Sequence, residues 1–133
     1  MNFNDLLTPG LSAQLDDTVT DRNTANALGS GGIAVYATPS MIALMEGAAL
    51  SAAAPLLPQG WTTVGTELNI KHLSATPPGM KVYAKAELIS IDGRALDFTV
   101  EAFDETGKIG EGTHSRFIVD TEKFLSKTNS KLK

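Results

Sequence analysis

Residues 38–57 read TPSMIALMEGAALSAAAPLL, and this stretch decides the fold. Met41, Ile42, Leu44, Met45, Ala48, Ala49, Ala52 and Ala53 leave it almost no polar side. A helix that is apolar nearly all round is buried on most of its surface. Thr38 suits the N-cap, and Pro39 suits the first helical position, where a missing N–H costs nothing. Pro55, Pro58 and Gly60 end the run. Its many small side chains allow close approach to a sheet, so the flanking sequence should supply one.

Upstream, Leu11, Ala13 and Leu15 alternate with polar residues, as in a strand ahead of Asp16-Asp17. Residues 18–26 are polar and read as a strand end or loop. Gly29-Ser30-Gly31-Gly32 follows. It lacks the Lys-Ser/Thr ending of a phosphate-binding loop and reads as a flexible hinge or lid. Downstream of Gly60 the period changes to two. Val64, Thr66, Leu68, Ile70 and His72 share one strand face, and Glu67, Asn69 and Lys71 the other. Thr76-Pro77-Pro78-Gly79 is a rigid turn. Met80, Val82, Ala84, Ala86 and Leu88 form a second alternating strand, closed by the hairpin signal Asp92-Gly93. Leu96, Phe98, Val100 and Ala102 form a third. After Glu105-Thr106-Gly107 a fourth strand covers residues 109–119, and Gly110 and Gly112 in it suggest a bulge or a close backbone approach.

One early strand, one buried helix and four hairpin-linked strands give an α+β order. A curved antiparallel sheet wrapped around one long central helix is the hot-dog fold. One such domain accounts for residues 1–133, with residues 1–10 and 125–133 as peripheral tails. The last eleven residues hold four of the chain's 11 basic residues and no acid, which suits a solvated extension.

Composition narrows the function. Hydrophobic residues make up 42% and charged residues 20%, ordinary values for a globular domain. The net charge of −4 and the 6% aromatic content argue against nucleic acid as a partner. With no cysteine there is no thiolate metal site, disulfide or cysteine nucleophile. Two histidines make a histidine-rich metal site improbable. No run approaches the roughly 18 apolar residues of a membrane span, and the N-terminus lacks a signal-peptide pattern, so a cytoplasmic location is expected, with no membrane partner.

Glu46 breaks the apolar helix, and no lysine or arginine lies three or four residues away to pair with it. An ionised, unpaired carboxylate among apolar side chains is costly, so such a group reaches solvent, pairs with another element such as Arg116, or works. His72 shares its strand face with Leu68 and Ile70, and alternation aims it at the helix, as a satisfied core histidine or as a base. Thr38 is a helix cap, a hydrogen-bond donor or a nucleophile. It stands about 12 Å along the helix from Glu46, so a ligand or water must lie between them. The helix amides near Ser40 and Met41 could polarise a carbonyl. Gly65 stands mid-strand, as a bulge or as a backbone N–H offered to a ligand. His114 and Arg116 share a face with Gly110 and Gly112, either solvated or receiving phosphate groups.

Several motifs then fall into one order: Val35-Tyr36-Ala37-Thr38-Pro39, Met41-Ile42-Ala43-Leu44-Met45-Glu46, Gly65-Thr66, His72, Ala75-Thr76-Pro77-Pro78-Gly79, Ala86-Glu87-Leu88 and Gly110-Glu111-Gly112-Thr113-His114-Ser115-Arg116. Over residues 35–124 this order resembles the fluoroacetyl-CoA thioesterase-like branch of the hot-dog superfamily. The resemblance implies hydrolysis of an acyl-CoA thioester with Thr38, Glu46 and His72 as catalytic residues. Gly65, Arg116 and His114 are then substrate-binding, with Gly65 at the acyl group and Arg116 near the coenzyme A channel. It also implies a homodimer with sites near the subunit interface, and no metal or redox cofactor. The fluoroacetyl-specific enzyme carries a phenylalanine in its lid, whereas residues 28–33 here hold no aromatic, which points to another short acyl group. Direct water attack and an acyl-enzyme route both remain open. The rival reading is a non-catalytic acyl-CoA-binding or sensing protein, since fold does not fix function.

Overall fold

The computed structural model describes residues 2–132. Strand β1 spans Ser12–Thr18, and a short helix α1 spans Ala25–Leu28. The long helix α2 spans Thr38–Ala53 and runs on into a 3-10 turn at Ala54–Leu56. Four strands follow: β2 Trp61–His72, β3 Lys81–Asp92, β4 Ala95–Asp104 and β5 Gly107–Asp120. Helix α3, Thr121–Asn129, follows β5 and leads into a 3-10 turn at Ser130–Leu132. All pairings are antiparallel, in the order β1-β3-β4-β5-β2. This curved five-stranded sheet around one central helix is the expected hot-dog fold.

Alternation builds the inner face. Val82, Ala84, Ala86 and Leu88 of β3 and Leu96, Phe98, Val100 and Ala102 of β4 are buried against α2. The helix answers with Met41, Met45, Ala48, Ala49, Ala52 and Ala53. Alanine at the contact keeps helix and sheet close, and the methionines fill the irregular gaps that remain.

Several expectations change. The continuous helix Thr38–Leu56, 19 residues with mean hydropathy 1.2, is long and apolar enough to cross a membrane, where the sequence reading expected no such run. Here its buried side chains pack on the sheet. The segment before β1 is not peripheral: Phe3 and Leu7 are core residues, and Phe3 meets Trp61 edge-on at 5.2 Å between ring centroids. β1 runs on through Asp16 and Asp17 instead of stopping before them. The polar stretch at 18–26 contains the start of α1, which ends at Gly29 in the left-handed region (φ 78°). Residues 125–132 stay exposed, as a tail should, but most of them are helical, and Asp120 caps α3 by accepting from Lys123 N–H at 3.2 Å.

β2 is an edge strand. It pairs with β5 on one side only, and residues 65–69 on it are exposed. Its register with β5 shifts between Gly65 and Glu67, so Thr66 is the extra residue of a β-bulge. The bulge reverses the facing of everything before it. Gly65 lies opposite buried Arg116, and Leu68 lies opposite buried His114. The inner face therefore holds Thr63 and Gly65 ahead of the bulge, and Leu68, Ile70 and His72 after it. The alternation read from sequence put Val64 and Thr66 there instead.

Candidate active site

The site residues gather in two groups at opposite ends of the inner face of β2. The first is Thr38 with His72. Thr38 is not the N-cap of α2: that position belongs to Ala37, and no side chain caps it. The Thr38 hydroxyl lies 2.7 Å from His72 Nδ1 instead. The Met41 N–H is bonded to the Ala37 carbonyl at 3.0 Å, so of the two helix amides considered above only that of Ser40 remains for a ligand. His72 Nε2 is buried and has no hydrogen-bond partner among the described residues. Burial lowers the pKa of His72 below 6.5, and the backbone of Ser74 offsets part of this. The ring is therefore neutral near pH 7 and can accept a proton. Thr38 and His72 line a cavity of about 320 Å³ together with Ser30, Val35 and Tyr36.

Tyr36, which the sequence reading did not single out, is 1% exposed, and its hydroxyl has no partner among the described residues. Burial, and secondarily the Asp17 carboxylate, push its pKa far up, so the phenol stays protonated.

The second group is Glu46, Gly65, His114 and Arg116. The glycine makes the group possible. A Cβ on residue 65 would stand 2.9 Å from Glu46 Oε2, 3.2 Å from His114 Cε1 and 3.5 Å from Arg116 Nη1. The bulge reading of Gly65 has a basis, since it flanks the bulge; its bare Cα also leaves room for a carboxylate and a guanidinium, which the sequence did not suggest. Arg116 and His114 are only 6% and 1% exposed. The expectation of an outward polar face open to phosphate is corrected: their strand face is the inner one. Gly110 and Gly112 on that face carry no hydropathy, so the buried side looked polar in sequence. Gly110 is bare because Met41 packs against it, at 2.6 Å from where a Cβ would stand.

Arg116 is anchored by neutral acceptors. Its Nε donates to Thr63 Oγ1 at 2.7 Å and its Nη2 to the Thr63 carbonyl at 2.9 Å. Its Nη1 donates to His114 Nε2 at 3.1 Å. Thr63 escaped the sequence reading, although its place two residues before Gly65 puts it on the same face. The only ion pairs among the described residues join Lys108 to Glu101 and Glu111 on exposed side chains, and neither involves Arg116 or Glu46. Burial lowers the pKa of Arg116, and the nearby Glu46 carboxylate counters this. An arginine's ordinary pKa lies so far above neutrality that the guanidinium remains charged.

Within one chain the two groups do not meet. Glu46 is two helical turns from Thr38, and Gly65 lies roughly 20 Å along β2 from His72. The Thr38–His72 cavity has no wall from Glu46. A larger hollow of about 530 Å³ lies elsewhere, between Lys71, Thr99, Glu101 and Glu111, and contains none of these residues. Among the described residues no cluster of three or more His, Asp or Glu side chains could hold a metal ion.

Likeness to known proteins places the chain among the thioesterases of the hot-dog fold. The family described as fluoroacetyl-CoA-specific thioesterase matches residues 19–122, and the chain belongs to it. It is 44% identical to the fluoroacetyl-CoA thioesterase of Streptantibioticus cattleyicolor over 97 residues, which are 73% of this chain and 70% of that one. A solved structure of a fluoroacetyl-CoA thioesterase superposes with a TM-score of 0.88 at 37% identity, covering 94% of this chain and 97% of the other. A thioesterase superfamily member from Thermus thermophilus matches with a TM-score of 0.85 at 29% identity, over 92% and 91% of the two chains.

Proposed function

We propose that the chain hydrolyses a short acyl-CoA thioester to the free acid and coenzyme A, as a homodimer whose sites form across the subunit interface. The Thr38–His72 hydrogen bond carries this reading. A helix-start hydroxyl that is spared from capping and held by a neutral histidine is arranged for acyl chemistry, not for helix stability. Thr38 and the Ser40 amide would polarise the thioester carbonyl. His72 would carry the proton that must reach the departing thiolate. Glu46 would act as base toward water or as nucleophile. Gly65 and Arg116 would set the acyl end, with the Arg116 charge opposing charge that develops on the substrate.

Support for the dimer comes from the edge. β2 is twelve residues long, and its free edge carries Leu68 at 40% exposure. A long edge strand of this kind is a template for pairing. Antiparallel pairing of β2 with a second β2 about a two-fold axis would bring the Gly65 end of one chain to the His72 end of the other. Each site would then combine Thr38 and His72 of one chain with Glu46, Gly65 and Arg116 of its partner.

The test is thiol release from acetyl-, propionyl- and longer acyl-CoA by the purified protein. Turnover should be highest on the short esters and should fall by about 100-fold or more in both Glu46→Gln and His72→Ala. Recovery of every ester intact, with binding retained, would leave a non-catalytic acyl-CoA-binding protein instead.

A further inference from the structure

His114 sits beside this site without access to it, and its surroundings give it a different task. Its Nδ1 lies 2.8 Å from the Glu67 carbonyl. A carbonyl only accepts, so Nδ1 carries the hydrogen. In the neutral ring Nε2 is then a bare acceptor, and Arg116 Nη1 donates to it at 3.1 Å. Glu67 is the residue at which β2 resumes its register with β5 after the bulge. One imidazole thus ties the bulged stretch of β2 to the guanidinium of β5, directly over Gly65. Protonation would place an N–H against an N–H and a positive charge against another.

Resting on the thioesterase reading above, we propose that His114 is a positioning residue: in its neutral Nδ1–H form it holds Arg116 against the Gly65–Glu46 end of the site. The groups that face it agree with this state. Burial lowers its pKa below 6.5, the Glu67 carbonyl opposes that, the Arg116 charge lowers it further, and Glu46 on α2 opposes. β4 presents the uncharged ring of Phe98, 6.4 Å away between centroids. The substrate-binding role expected for His114 is replaced by this one, because a 1% exposed ring with both nitrogens engaged has nothing left to offer a ligand.

Two carboxamides separate the ring's two tasks. Gln at position 114 can offer an acceptor near the Nε2 position, whereas Asn mimics only the Nδ1 side. His114→Phe should lose about tenfold or more in kcat on a short acyl-CoA with KM little changed, His114→Asn should resemble it, and His114→Gln should recover most of the loss. The acid limb of kcat/KM should have a slope of about two in the wild type, from His72 and His114, and about one in His114→Gln. A merely structural histidine would not produce that change. Two readouts need no turnover. Ring ¹⁵N shifts of the wild type at neutral pH should report the neutral Nδ1–H tautomer, and a crystal structure of His114→Phe should show Arg116 displaced. A charged ring or the Nε2–H tautomer overturns the proposal, as does His114→Phe with Arg116 unmoved and full turnover. A wild type that releases no thiol would sink the thioesterase reading alone, since the ring and the arginine would still decide this one.

Discussion

The two ends of the inner face of β2 hold polar groups in opposite ways. At the Thr38–His72 end, one hydrogen bond of 2.7 Å is made and the other ring nitrogen is left buried without a partner. At the Glu46 end, all three donor nitrogens of Arg116 and both nitrogens of His114 are engaged. An unsatisfied buried nitrogen costs stability, and a protein tolerates it where a reacting group will occupy it. A guanidinium held by neutral acceptors keeps its charge in place for something else to use. Under the proposed function the first end would exchange a proton and the second would hold a charge still, and a thioester needs both at one carbonyl.

The largest effect should come from trying to unite these ends in trans. Glu46→Gln and His72→Ala should each be nearly inactive alone. Mixed under conditions that exchange subunits, they should recover about a quarter of wild-type turnover, because half the dimers would be mixed and each would hold one intact site. No recovery, with mixed dimers shown to form, would place both groups' work within one chain.

Next comes Gly65→Ala, which probes the charge-holding end. The added methyl would stand 2.9 Å from Glu46 Oε2 and 3.2 Å from His114 Cε1. The glutamate must move, so turnover should drop about tenfold or more, with the melting temperature changed by only a few degrees. Equal activity in Gly65→Ala would mean that the position of Glu46 is unimportant. At the other end, Thr38→Ser keeps the hydroxyl and should lose only a few-fold, whereas Thr38→Val should lose about tenfold or more. Neither should disturb α2, because Thr38 caps nothing.

Much of this was legible in the chain. Alternation in β3 and β4, the apolar run of α2 and the Asp92-Gly93 hairpin gave the fold, because each is a local pattern with a single burial solution. Glu46 and His72 stood out because each interrupts an apolar face. What stayed hidden depends on partners distant in sequence. The bulge at Thr66 turns Thr63 and Gly65 inward, and no rule of alternation foresees a residue that drops out of register. Thr38 has a good capping residue's chemistry, and only the nearness of His72 redirects its hydroxyl. Phe3 and Leu7 looked terminal until the core closed over them.

The smallest effect, and the one that separates the two histidines, is on stability in acid. Both folded-state pKa values lie below the ordinary 6.5, His72 through burial and His114 through burial reinforced by Arg116. Between each lowered value and 6.5 the unfolded chain binds more protons than the folded one, so stability rises with pH across that window and is lost as pH falls below about 6.5. The melting temperature should therefore fall by a few degrees as pH is lowered from about 7 to 5, beyond what the carboxylates alone produce. Removing one histidine should remove its share of the slope. His114 is the more deeply buried ring and faces a fixed positive charge, so His114→Gln should flatten the acid side more than His72→Gln does. Equal flattening by the two substitutions would mean that neither the deeper burial of His114 nor the Arg116 guanidinium sets its titration apart from that of His72.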